Sequence, residues 1–288
     1  MKIALLQAEA APLDIEANLG AVRDAAAEAR AAGAELLLTP ELFVSGYAPR
    51  ELAGWLTPER VEAIPRRLAE LAAGSGIAVA ASFPLARPDG SFAIAAGLWD
   101  AAGAEVLRYE KVHLWGDEEP LAFAPAAPDL APAVADWNGR RVAFQICYDI
   151  EFPEPARFLA ERGADLLLVP TAIDGNSAYV PEVLIRARAA ENALVVAYAD
   201  HARAADAGAD PAAGFAGLSI VAGREGRVLA AAGAGPELLL AEIPDPAPIA
   251  AGTADYLADR RGDAYSAWES GESEESGAAE RPGLSSRP

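Results

Sequence analysis

The chain has 288 residues, of which 52% are hydrophobic, 23% charged and 7% aromatic. That apolar fraction excludes global disorder, and the length suits one large domain or two small ones. The formal charge of -20 disfavours a nucleic-acid partner, since phosphate contacts need basic patches, and disfavours an anionic membrane surface for the same reason. Mean hydropathy is +0.13, and no apolar run approaches the ~18 residues of a membrane span. The single cysteine excludes an intrachain disulfide framework, making a cytoplasmic location the default expectation, and two histidines with one cysteine cannot build a Cys/His zinc cluster. Lys2 and Lys111 are the only lysines in a chain whose other cations are all arginine, so retention of a lysine at 111 is itself a clue.

Strand-like and helix-like stretches alternate along the chain. Ile3–Gln7 reads as a first strand, followed by a helix over Asp14–Ala31 stopped at Gly33 and a second strand over Glu35–Leu38. Pro58–Ala73 carries Val61, Ile64, Leu68 and Leu71 on one helical face. Ile77–Phe83, Phe92–Trp99 and Glu105–Tyr109 read as a meander, with Asp89-Gly90 turning the first pair. Val134–Asp136 and Arg141–Ile146 flank Asn138-Gly139, a type I′ hairpin signal. Glu154–Arg162 and Pro181–Asn192 read as helices, with strands at Asp165–Val169 and Ala193–Ala199. After a flexible Ala/Asp/Gly loop at 201–214 come strands at Gly217–Ala222, Arg227–Ala231 and Glu237–Ile243. Nothing divides residues 1–265, which read as one α/β domain; residues 266–288, rich in Ser, Gly and Glu, read as a disordered acidic tail.

Three reactive side chains follow strand-like runs. Glu41 comes after Leu36–Pro40, Lys111 after Val106–Tyr109, and Cys147 after Val142–Ile146. In α/β folds the loops beyond strand C-termini carry ligand-binding and catalytic groups. A thiol is a nucleophile only as thiolate, so it needs a base or a cation nearby. Glu41 can take the thiol proton and return it to a leaving amine, which requires a pKa near working pH. Lys111 can hold the anionic oxygen of a tetrahedral intermediate, with the Tyr148 N–H as a second donor.

Three blocks, TPELFVSGY (39–47), YEKVHLWGDEE (109–119) and QICYDIEFPE (145–154), resemble in order and spacing the signature blocks of the nitrilase superfamily of carbon–nitrogen hydrolases. The resemblance runs from Lys2 to about Tyr265 and includes GADLLLVPTA, ENALVVAYA, GLSIV and YLADRRGDAY. It implies an α-β-β-α sandwich, no metal or other cofactor, and assembly as a homodimer or higher homo-oligomer. It implies Glu41 as general base, Lys111 as oxyanion-holding lysine and Cys147 as nucleophile. A second glutamate, four residues before a phenylalanine, is implied as well; Glu119 with Phe123 has that spacing, and Glu118 is the alternative. Tyr47, Tyr148, Thr171 and Ala172 are the substrate-binding candidates. His113 is expected to be structural, and Trp115 is left without a role. A Cys147–His201 pair is the rival mode of thiol activation; with His201 in a flexible loop, His201→Ala is expected to be nearly silent.

Cys147-Tyr148-Asp149 with Phe152-Pro153-Glu154 is similar to amidase branches acting on small carboxamides. Nitrilases usually carry tryptophan beside the cysteine, and carbamoylases an Arg-containing run after it. The expected reaction is therefore hydrolysis of a small amide through a thioester, to a carboxylic acid and ammonia. N-carbamoyl hydrolysis and nitrile hydrolysis are the alternatives within the superfamily; acyl transfer to an amine and an inactive binding subunit are the alternatives outside hydrolysis. The chain departs from the family pattern in lacking an Asn-Arg-x-Gly-x-Glu-like run after Ala199, in carrying Gly252-Thr253 where an arginine is common, and in having Ala126 where glycine is usual. These departures bear on the substrate and leave the three reactive residues in place.

Overall fold

The computed structural model describes residues 1–204, 214–246 and 254–270. In chain order its strands are β1 (Lys2–Gln7), β2 (Leu36–Leu38), β3 (Ala78–Ala86), β4 (Phe92–Trp99), β5 (Glu105–Glu110), β6 (Ala135–Trp137), β7 (Arg140–Phe144), β8 (Leu166–Pro170), β9 (Val195–Ala199), β10 (Ile220–Ala222), β11 (Val228–Ala231) and β12 (Glu237–Glu242). The helices are α1 (Ile15–Ala31), α2 (Pro49–Trp55), α3 (Pro58–Val61), α4 (Ile64–Ser75), α5 (Glu119–Ala122), α6 (Pro153–Glu161), α7 (Ile185–Asn192) and α8 (Gly262–Ser270).

The strands form two six-stranded sheets, ordered β12-β1-β2-β3-β4-β5 and β11-β10-β9-β8-β7-β6. Each has a parallel centre, β1–β2–β3 in one and β7–β8–β9 in the other, with antiparallel strands at its flanks. The alternation of side chains along a strand assigns the layers. Ile3, Leu5, Leu36 and Leu38 point into the inter-sheet core with Val142, Phe144, Leu166 and Leu168. Ala4, Leu6, Leu37 and Val79 point the other way, onto Leu19 and Val22 of α1 and Ile64 and Leu68 of α4. On the far sheet, α6 and α7 contribute Leu159, Ile185 and Ala189 to the same continuous core. The α-β-β-α sandwich expected from the sequence is the fold. Each fully buried leucine contributes about 1.5–3 kcal/mol, and that apolar body holds the two sheets in fixed relation.

Local differences from the sequence reading have simple causes. The helix expected over Pro58–Ala73 is two, α3 and α4, because Pro65 in the first turn of α4 has no N–H to continue the earlier turn. Asn138 and Gly139 both have positive φ, 50° and 74°, as the expected I′ hairpin demands. Of the tail expected over residues 266–288, Ser266–Ser270 lie in α8, and residues 271–288 lie outside the described residues. His201 is fully buried, so the part of the 201–214 loop nearest β9 is packed; residues 205–213 lie outside the described residues. Among the described residues no helix is long and apolar enough to cross a membrane.

Candidate active site

The three reactive residues sit just past β2, β5 and β7, which the parallel and doubly antiparallel pairings carry to one edge of each sheet. Two of these exits leave the chain in the left-handed region: Leu42, next to Glu41, has φ 49°, and Cys147 itself has φ 48°. Such conformations cost of order 1–3 kcal/mol each and persist only where the surroundings enforce them. Here the Leu42 N–H donates to Ser82 Oγ (3.0 Å), and the Glu41 N–H donates to the Thr171 carbonyl (3.1 Å), tying the loop after β2 to the residue after β8. Gly46, at φ +75°, lies against Pro12, whose Cα would be 2.7 Å from any Cβ. Only glycine fits there, and it turns the chain so that Tyr47 enters the site.

Lys111 is the centre of the cluster. Its Nζ donates to Glu41 Oε1 at 2.7 Å and to Glu119 Oε1 and Oε2 at 2.7 and 2.9 Å, and all three side chains are fully buried. Glu119, the first residue of α5, also accepts from Tyr47 Oη (2.7 Å) and the Trp115 N–H (2.8 Å). Glu118 points away, pairing with Arg50 at 2.8 Å; the structure therefore places Glu119, and not Glu118, on the lysine. Burial works against the charge on Lys111, but Glu41, Cys147 and Glu119 outweigh it and hold its pKa above the usual lysine value. Burial raises Glu41 from 4.5 to about 8, against the pull of Lys111 and with the push of Glu119. Glu41 Oε2 is buried without a hydrogen-bond partner. Burial and then the charge of Glu41 push the Cys147 thiol well up, opposed by Lys111. In this resting arrangement the thiol keeps its proton, and a carboxylate able to exchange protons near neutral pH stands beside it.

Cys147 opens a 3₁₀ turn, Cys147–Glu151, in which Tyr148 is the second residue, so the Tyr148 N–H has no acceptor within the turn. From α7, the Arg188 guanidinium donates to the carbonyls of Ile150 (3.0 Å) and Glu151 (2.7 Å), bracing that turn. Asp149, fully buried, locks the lysine and cysteine segments together. Its carboxylate accepts from Tyr109 Oη (2.8 Å), the His113 N–H and Nδ1 (both 2.8 Å) and the Ile146 N–H (3.3 Å). His113 also stacks on Phe152 with centroids 4.1 Å apart, so it supports the scaffold, as expected.

A cavity of about 620 Å³ opens over this cluster; Tyr47, Trp115, Cys147, Tyr148, Ala172 and Phe215 are among its walls. Of the four residues expected at a substrate, Tyr47, Tyr148 and Ala172 line the cavity and Thr171 does not. Thr171 is fully buried behind the thiol, with Oγ1 3.0 Å from Tyr198 Oη. Trp115, half-exposed, packs edge-on to Tyr148 with centroids 5.0 Å apart. Sequence reasoning weighed His201 only as a rival partner of the thiol and missed its place under Glu41. It is not placed as a partner of the thiol: its Nε2 donates to the Glu41 carbonyl at 2.7 Å, and its ring is stacked between Phe43 and Phe215. Burial lowers its pKa from 6.5 to about 4, so it is neutral and holds the backbone of Glu41 from beneath. Its position two residues beyond β9, on the sheet edge that carries Thr171, was the available signal. Among the described residues no three His, Cys, Asp or Glu side chains converge as metal ligands.

Known proteins resemble this chain along most of its length. A carbon–nitrogen hydrolase family model matches residues 2–247. A hydrolase encoded in the pqqF 5′ region of Pseudomonas protegens is 37% identical over 92% of this chain and 90% of its own length. An (R)-stereoselective amidase from Pseudomonas sp. is 33% identical over 91% of this chain and 92% of its own. The crystal structure of an amidase from Nesterenkonia sp. superposes with a TM-score of 0.82 at 42% identity, covering 93% of this chain and 96% of that one. One variant of the Nesterenkonia enzyme carries the acetamide moiety of fluoroacetamide covalently on its active-site cysteine, and another holds butyramide.

Proposed function

Because the chain belongs to the carbon–nitrogen hydrolases of the nitrilase superfamily and is an amidase-like enzyme, we propose that it hydrolyses small primary carboxamides through a thioester on Cys147. The observation that carries this reading is the buried Glu41–Lys111–Glu119 cluster, with contacts of 2.7 Å, at the floor of a cavity lined by the chain's one cysteine. Glu41 takes the thiol proton as Sγ attacks the amide carbon. The carbonyl oxygen becomes an oxyanion held by Lys111 Nζ and the Tyr148 N–H. Glu41 then gives its proton to the nitrogen, the C–N bond breaks, and ammonia leaves a thioester behind. Water, deprotonated by Glu41, attacks the thioester carbon; the C–S bond breaks, the thiolate is reprotonated, and a carboxylic acid departs.

Glu119 has a distinct part in that cycle. Each time Glu41 holds a proton, Lys111 loses one of its two counter-charges, and a buried ammonium with no partner is costly. Glu119 stays on the Lys111 ammonium through both steps, oriented by Tyr47 and the Trp115 N–H. It keeps Lys111 charged when the oxyanion forms.

The bound butyramide and the acetamide adduct of the Nesterenkonia amidase support a short-chain amide as substrate. Ammonia release from small amides, nitriles and N-carbamoyl compounds tests the reading. Amides are expected to be turned over, and Cys147→Ala to release no ammonia while unfolding at the wild-type denaturant midpoint. Release of ammonia by natively folded Cys147→Ala, or turnover confined to nitriles or N-carbamoyl compounds, would overturn it.

A further inference from the structure

The cavity walls are unbalanced in charge. Asp117, Glu118, Glu151 and Asp174 line it against one cation, Arg50, and Arg50 is already paired with Glu118 at 2.8 Å. Lys111 lies beneath the walls; its charge reaches Glu151, but its hydrogen bonds go to Glu41 and Glu119.

Glu151 is the member nearest in the chain to the nucleophile, closing the same 3₁₀ turn that Cys147 opens. That turn is braced by Arg188, whose donors go to the backbone carbonyls of Ile150 and Glu151 and to the Glu191 carboxylate, not to the Glu151 side chain. The Glu151 carboxylate accepts from Tyr179 Oη at 3.3 Å and makes no ion pair among the described residues. A half-buried carboxylate without a direct ion-pair partner attracts a cation and repels a second anion, and its wall position shields it from salt. The site it faces is a reaction cavity and not a bare acidic surface, since Cys147 lines the same cavity.

We propose that the cavity selects carboxamides by charge, favouring an acyl chain that carries an ammonium group and rejecting one that carries a carboxylate, with Glu151 as the residue that sets the preference. This deepens the amidase reading and, for the substrate, rests on it.

Two measurements separate the two claims. The first compares kcat/KM for ammonia release from 4-aminobutanamide, pentanamide and succinamate, a cation, a neutral chain and an anion of similar length. The second avoids amide turnover: the chain's only cysteine is titrated with cationic trimethylammonioethyl and anionic sulfonatoethyl methanethiosulfonate. In each case the thiolate displaces methanesulfinate and forms a mixed disulfide. Rates are normalised to a free thiol. The expected result is a cation-over-anion ratio of about 100 in both measurements. Glu151→Gln should cut that ratio about tenfold, and Glu151→Lys should invert it. Glu242→Gln, which removes the same charge beside Lys2 at the opposite end of β1, should leave it in place. Ratios near 1 in both measurements, or a ratio that ignores Glu151→Gln, overturn the proposal and leave the amidase reading intact if pentanamide is hydrolysed. A cation-selective thiol with no ammonia from any amide supports the charge preference and removes the amidase reading.

Discussion

Replacing Glu41 with glutamine separates its place in the chemistry from its cost to the fold. In the folded protein the carboxyl is raised from 4.5 to about 8, first by burial. At about 1.4 kcal/mol per pH unit, that rise corresponds to about 5 kcal/mol of differential stability, as an order of magnitude. The sign follows from proton counting. Between pH 4.5 and 8 the native state holds a proton on Glu41 that the unfolded chain has released, so this group's contribution to stability falls as pH rises through that window. Glutamine keeps an oxygen to accept from Lys111 and has no proton to lose. Urea unfolding of both forms at pH 5, 6.5 and 8 should therefore show the variant gaining on the wild type with each step, by several kcal/mol in total. Activity should move oppositely: wild-type kcat/KM rises with pH up to about 8 as the base ionises, while Glu41→Gln loses about 10²–10⁴-fold. A stability gap constant to within about 1 kcal/mol across that range, with a pH–rate profile already flat above pH 6, would refute the raised pKa and the base role built on it.

Lys111→Ala is expected to lose at least about 10²-fold in kcat, because an oxyanion donor is gone, and also about 3–5 kcal/mol of stability, because Glu41 and Glu119 are left facing each other without a cation; chemical denaturation and single-turnover acylation measure the two losses separately. His201→Ala, expected from the sequence to be nearly silent, should on the structure lower kcat about tenfold by freeing the Glu41 backbone, and His201→Gln, whose amide can still donate, should recover part of it. Since His201 titrates near 4 when folded and 6.5 when unfolded, its contribution of about 3 kcal/mol is complete above pH 6.5 and is lost as pH falls through 4; a wild-type minus His201→Gln stability difference that does not shrink over that range would contradict the neutral buried ring.

The sequence made the strands legible because their pattern is local. Runs such as Leu36–Leu38 and Leu166–Pro170 are apolar throughout, as strands covered on both faces must be, and the Asn138-Gly139 turn carries its own conformational demand. The short helices were not legible: α2 and α5 have seven and four residues, too few for a periodic apolar face to register. Within the site, Glu41, Lys111, Glu119 and Cys147 were readable because each stands at a fixed offset in a recognisable block. The roles of Asp149 and His201 were not, although Asp149 lies inside the Gln145–Glu154 block and His201 two residues beyond β9. Their partners, Tyr109, His113 and the Glu41 carbonyl, lie 36 to 160 positions away. No spacing rule encodes a contact that exists only once two sheets have packed.

That long-range dependence explains why the cluster is built from both sheets. Glu41 and Lys111 leave the sheet centred on β1–β3, and Cys147 leaves the one centred on β7–β9. The ties between them are the Glu41 N–H to Thr171 and the Asp149 carboxylate joining the segment after β5 to the one after β7. Two carboxylates, an ammonium and a thiol with almost no exposed surface cannot be held together by their own attraction, since desolvation offsets most of it. The apolar core between the sheets supplies what the charges lack. Sliding one sheet by about 1 Å would separate the thiol from its base without exposing a single leucine, so core substitutions between Leu38 and Leu168 should reduce turnover before they reduce the folded fraction.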